Sequence, residues 1–373
     1  MSDGGEMKRV RQHLLSWATG RPFGAAGPGS AVGAPAAART VLLDDASLAE
    51  PLTAAGLVDG HSVVFVPQDP SEAAEPARSD AAAPTYVGYG GSLAEPGGEL
   101  SLGQEFFLES RDYAAAAYMP LLGPTLVTVT GPDDFELFLA DADLARETGR
   151  FPEFAVAAPV RLAQLPALSA DRDGDGPGLR LHVDADGGVS TAWSGVRVGT
   201  LDDGPAGLYQ TWQDVNESSA AGCAVCLGAV LDEPGRLAGL TARPWLGDYL
   251  AAVDSLRTLT ARGMAGLRVA GFGARLLPEP DTDADPVPDP GRRRAVLLLG
   301  DDGACLHQPS TGRTFRLGTG AARCAEALLT LGSADAVTAH VGDLPGLADV
   351  AGLFAGLGLF PAAGQALPVR AGA

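Results

Sequence analysis

Cys223-Ala-Val-Cys226 is the pair of reactive side chains whose spacing most directly offers chemistry. Two thiols three positions apart can hold a soft metal ion, run thiol–disulfide exchange, or pack as small apolar groups. A structural zinc site needs two further ligands. The other two cysteines, Cys305 and Cys324, lie far along the chain and form no second pair of this spacing. With alanine, valine and leucine around the motif, the reading is a buried apolar segment, and no metal ligand is assigned.

Other candidates fall to the same scrutiny. Asp171-Arg-Asp173-Gly-Asp175-Gly176 copies the opening of a calcium loop, but the twelfth position is His182 rather than a bidentate glutamate. A polar surface turn is the expectation there, as it is for Asp184-Ala-Asp186-Gly187-Gly188. Gly88-Tyr-Gly90-Gly91 lacks the third glycine of a dinucleotide fingerprint, there is no P-loop, and no serine sits in a G-x-S-x-G elbow. Five histidines (His13, His61, His182, His307, His340) are scattered without metal spacing. No catalytic residue and no cofactor are therefore assigned.

The chain has 373 residues and a formal net charge of -20, which speaks against nucleic acid and anionic membranes as partners. Residues 291–373 carry seven arginines and six acidic residues, so 19 of the 26 basic and 40 of the 46 acidic side chains fall in residues 1–290. A near-neutral tail is attached to an acidic body. Four cysteines make no disulfide framework, the N-terminus has no apolar leader, and no apolar run reaches the roughly 20 residues of a spanning helix. A cytoplasmic location is expected.

The elements that must position any site follow from periodicity. Residues 1–39 read as a short helix from Met7 to Ala18, with Val10, Leu14 and Trp17 at helical spacing, running into a flexible low-complexity stretch. Residues 40–66 read as a small α/β unit and 67–85 as a linker. The main body, 86–277, is expected to be α/β or α+β. It contains a strand at Thr125 to Thr130, a helix from Pro132, a hairpin around Asp184 to Gly188, and a long helix from Pro244 to Arg262 stopped by Gly263. Residues 278–290, with five prolines and five carboxylates in thirteen positions, read as an extended tether.

Beyond the tether, residues 291–365 read as three short strands (Ala295 to Leu299, Ala304 to His307, Arg313 to Leu317) and then helices. The last helix places Leu347, Val350, Ala351, Phe354 and Leu357 at i, i+3, i+4, i+7 and i+10. The segments TGRTFRLG (Thr311 to Gly318), Thr319 to Ala322, Ala327-Leu328-Leu329 and GLGLF (Gly356 to Phe360) resemble the PqqD-like RiPP recognition elements. These are winged-helix domains of three strands and three helices that hold the leader of a ribosomally made peptide while partner enzymes modify it. Gly318 stands where that family has an asparagine, and Cys324 to Ala327 lack its aromatic.

The resemblance implies a non-catalytic, scaffolding protein that binds a precursor leader and presents it to pathway modifying enzymes. The Trp245 to Arg275 region with the tail is most similar to the recognition proteins of daptide-type clusters, where an oxidoreductase is one such partner. The leader would add as a strand along Arg313, Thr314, Phe315, Arg316 and Leu317, over a groove lined by Val350, Leu353, Phe354 and Leu357. The arginines of the tail strands, Arg292 to Arg294 included, would offer positive charge to an acidic peptide, or else form a solvated strand face. The alternative is an enzyme of unrecognised type whose C-terminal domain docks its substrate.

Overall fold

The computed structural model describes residues 3–22, 36–69, 76, 77, 80, 82–169, 175–278 and 295–358. They form a mixed α/β protein of two compact units. The first comprises Met1–Ala140 and Glu153–Leu246, the second Asp141–Pro152 and Gly247–Ala373.

The first unit opens with helix α1 (Asp3–Thr19), strand β1 (Thr40–Leu43), helix α2 (Ala49–Ala54) and strand β2 (Val63–Pro67). Then come β3 (Thr85–Gly91), β4 (Glu99–Leu102), β5 (Phe106–Asp112), α3 (Tyr113–Ala116), β6 (Thr125–Thr128), α4 (Pro132–Thr148), whose residues from Asp141 onward belong to the second unit, and β7 (Val160–Leu162). It closes with β8 (Arg180–Val183), β9 (Gly188–Ser190), β10 (Gly199–Thr200), α5 (Gly204–Glu217) and α6 (Glu233–Thr241).

All ten strands join one sheet in the order β10-β9-β8-β1-β2-β3-β4-β5-β6-β7. Its middle is parallel: β1 pairs with both β2 and β8, and β2 with β3. Every residue of β1 and β8 is buried, the pattern of strands covered on both faces. The expected hairpin around Asp184 to Gly188 is β8–β9, paired antiparallel.

Two expectations about organisation change. Residues 40–66 are not a unit of their own, because β1 and β2 are central strands of the large sheet. Nor is the N-terminal segment merely a flexible leader: Val10, Leu14 and Trp17 of α1 are buried in the same core cluster as Leu42, Phe65, Val87 and Leu126. Once that apolar stripe is removed from water the helix has to stay docked.

The second unit holds α7 (Leu246–Ala261), β11 (Arg268–Val269), β12 (Val296–Gly300), β13 (Gly303–Gln308), β14 (Arg313–Leu317), α8 (Thr319–Leu331), α9 (Ala334–His340) and α10 (Leu347–Gly356). Three strands followed by three helices appear in the expected order, but the sheet is four antiparallel strands, β11-β12-β13-β14. The fourth strand comes from before the tether. Residues 279–294, which hold most of the tether and Arg292 to Arg294, lie outside the described residues.

Residues 268–277 consequently belong with the tail rather than with the body. Val269 pairs with Leu298, and Ala274 and Leu277 share the cluster of Leu297, Leu306, Leu328, Val337 and Phe354. Glu326 of α8, itself buried, accepts the backbone N–H groups of Leu276 (2.9 Å) and Leu277 (2.7 Å). That clamp satisfies donors that burial would otherwise orphan.

Candidate functional site

In the first unit, β8 carries Arg180 and His182 on one face, as strand alternation requires. Arg180 is fully buried. Its Nε donates to Asp175 Oδ1 at 2.8 Å, its Nη1 to the Trp17 carbonyl at 2.6 Å, and its Nη2 approaches Cys226 Sγ at 3.4 Å. Gly20, just past the end of α1, makes room for this guanidinium. It adopts φ 71, and a Cβ there would lie 2.6 Å from Arg180 Nη2.

The other Asp175 oxygen, Oδ2, faces the CxxC: 3.0 Å from Cys223 Sγ and 2.6 Å from Cys226 Sγ. Cys223 and Cys226 are joined as a disulfide. The backbone N–H of Cys226 also points at Cys223 Sγ, at 3.2 Å. Asp175, Cys223 and Cys226 are the group of potential metal ligands found among the described residues.

The sequence reading placed Asp175 in a surface turn and the cysteines in apolar core. All three are buried, and the structure brings the carboxylate onto the sulfurs across separations of 48 and 51 residues. Asp171 and Asp173 lie outside the described residues.

His182 sits beside this cluster, edge-on to Trp17 and tilted to Trp193. Its Nε2 is 3.0 Å from Asp44 Oδ2 and its Nδ1 3.5 Å from Ser190 Oγ. The residue types are those of a nucleophilic triad, but Ser190 gives its proton to the Ala192 carbonyl at 2.8 Å. The hydroxyl is therefore turned away from the base, and the group is a structural chain of hydrogen bonds.

In the second unit, β14 is an outer strand: β13 flanks one side, and no strand flanks the other among the described residues. Arg313 and Arg316 are exposed; Thr314, Phe315 and Leu317 are half-buried. Phe315 and Leu317 pack on the unit's core, and Thr314 Oγ1 is 2.9 Å from His307 Nδ1.

The expected groove needs correction. Phe354 and Val350 are interior residues of the core cluster, so they cannot line a surface groove. On α10, Leu353 is 40% exposed and Leu357 half-buried. Among the described residues no helix is long and apolar enough to cross a membrane. The chain matches no protein-family model, no curated protein and no solved structure.

Proposed function

We propose that this protein binds the leader of a ribosomally made precursor peptide through its C-terminal unit and presents the peptide to modifying enzymes, an oxidoreductase among them. The observation that carries this reading is the outer edge of β14. An unpaired strand edge is a row of backbone donors and acceptors, which an extended peptide can complete as a further strand. The order of three antiparallel strands and three helices supports a PqqD-like winged-helix element, with β11 as an addition to it.

Arg313 and Arg316 stand exposed on that strand, so an acidic leader gains attraction that salt screens. Side-chain selection falls to residues with exposed surface, Leu353 and Leu357, with Val350 and Phe354 supporting them from within.

Successive residues of a strand direct their N–H groups to opposite sides, so prolines at Arg313 and Thr314 separate two roles. One removes a donor from the β13–β14 ladder; the other removes one from the free edge. Fluorescence anisotropy with the precursor encoded beside the gene should show binding to the full-length chain. It should be lost in whichever proline variant keeps wild-type stability. Wild-type affinity in that variant would refute strand addition.

A further inference from the structure

Asp175 is 2% exposed and divides its carboxylate between a cation and two sulfurs. Oδ1 is satisfied by Arg180. Oδ2 has only the Sγ atoms of Cys223 and Cys226 as partners among the described residues. In the disulfide neither sulfur carries a hydrogen, so Oδ2 faces sulfur lone pairs without a donor. A buried carboxylate oxygen held that way is unfavourable. The arrangement makes chemical sense once the sulfurs are reduced and either carry protons or share a cation with Oδ2.

We propose that the reduced cluster is a zinc site, with Cys223 Sγ, Cys226 Sγ and a carboxylate oxygen of Asp175 as its ligands. Two thiolates and one carboxylate form a soft-to-borderline donor set that suits zinc and disfavours calcium or magnesium. The surrounding groups stabilise negative sulfur: the Cys226 backbone N–H on Cys223 Sγ at 3.2 Å, and Arg180 Nη2 on Cys226 Sγ at 3.4 Å. Such outer contacts orient and tune metal ligands.

Charge also closes. Two thiolates and a carboxylate are balanced by a divalent ion and the buried Arg180. In the disulfide form Arg180 balances Asp175 alone. The interior is neutral in both states. Around a tetrahedral zinc the ligand atoms stand roughly 3.5 to 3.8 Å apart, so loading requires the S–S bond to break and the sulfurs to separate. Three protein ligands leave a fourth position for water or an exogenous donor, the composition of catalytic rather than closed structural zinc sites.

Reduction by a phosphine consumes one water, takes two electrons from phosphorus to the S–S bond and yields two thiols and a phosphine oxide. Zinc binding then releases the two thiol protons to solvent.

The test uses the full chain reduced with a phosphine under anaerobic conditions and titrated with cobalt(II), followed by zinc displacement. One equivalent of cobalt should give the thiolate-to-metal charge-transfer band and the visible band of a tetrahedral site, and zinc should abolish both. Cys223→Ser and Cys226→Ser should lose the bands. Asp175→Asn should weaken binding by at least the ten- to hundredfold seen when supporting groups are lost. The oxidised wild-type chain, whose folding is not in question, should bind no equivalent, and a Cys305→Ser/Cys324→Ser chain should bind one. Uptake below one equivalent by the reduced chain, or equal uptake by the oxidised chain, would overturn the zinc assignment and leave a disulfide alone.

Discussion

The two units bury charge to different ends. In the first, Arg180 and Asp175 converge on a cysteine pair, and Arg236, also buried, is held by Glu233 and the Ala167 carbonyl. In the second, the main core cluster is apolar apart from Cys324, the buried Arg257 is paired with Asp254 of its own helix, and Glu326 serves backbone amides rather than another side chain. Burying an ion pair is weak evidence of stabilisation, since desolvation offsets the attraction. Charges focused on two sulfurs therefore point to chemistry, whereas an apolar core under an outer strand points to a stiff platform.

The thiols repeat the contrast. Burial pushes Cys305 up in pKa, against a smaller opposing pull from Arg316, and pushes Cys324 up against Arg323. Raised, buried thiols are inert. The body's cysteine pair instead has a carboxylate and a guanidinium beside it.

Arg180→Met should have the largest effect. It leaves Asp175 charged and unpaired and removes the donor to the Trp17 carbonyl, an expected loss of about 5 kcal/mol, at the upper end for a broken buried pair. All four tryptophans (Trp17, Trp193, Trp212, Trp245) lie in the first unit, so tryptophan fluorescence in denaturant reads it directly. Adding Asp175→Leu should recover most of the loss. Loss below about 1 kcal/mol for the single variant would end the contrast in buried charge.

Phe354→Ala should come next, destabilising the second unit by about 3 to 4 kcal/mol through the cavity it leaves. Leu353→Ala, on the same helix but exposed, should cost below about 0.5 kcal/mol and act on peptide affinity instead. Hydrogen exchange resolved by segment separates the two. If Leu353→Ala destabilised more than Phe354→Ala, the interior assignment of α10 would be reversed.

Glu326→Ala should cost about 2 kcal/mol, because it strands the Leu276 and Leu277 amides, and Glu326→Gln should cost less by keeping one acceptor. Exchange at those two amides should rise first. Protection unchanged at both would mean that residues 268–277 are held by strand pairing and packing without help from Glu326.

How much of this was legible depends on where the signal sits. The stripe of Val10, Leu14 and Trp17 and the short strands β12 to β14 could be read because periodicity and turn residues are local. Strand β3 was hidden by its glycines. At Gly88 the side chain of Gln68, just past the end of β2, fills the place a Cβ would take, 1.5 Å from its Oε1. Helix α5, GPAGLYQTWQDVNE, buries Leu208 alone and offered no stripe. On α10 the apolar spacing gave the helix but not its role, since an amphipathic face looks the same whether it seats a partner or its own core. Asp175 and the cysteines are joined only by the fold, and no local pattern marks that meeting.

The last comparison is pH, which should separate the units by site. In the first unit His13, 2.9 Å from Thr40 Oγ1, is held down to about 4 by burial first and then by Arg9 and Arg39. It stays neutral in the folded chain, whereas the unfolded chain protonates near the ordinary histidine value of about 6.5. As pH falls from about 6.5 towards 4 the unfolded state takes up a proton that the folded state refuses, and stability is lost. Above that window the contribution is fully present. His307 in the second unit is also lowered, chiefly by burial, so its stability falls in the same direction. Denaturant midpoints read by tryptophan fluorescence should therefore decline from pH 7 to pH 4.5. His13→Asn, which offers Thr40 a hydrogen-bonding group that does not titrate, should flatten that decline in the fluorescence while leaving the second unit's exchange profile sensitive to acid. An unchanged slope in His13→Asn would remove this histidine from the account and shift the acid response to other groups of the first unit.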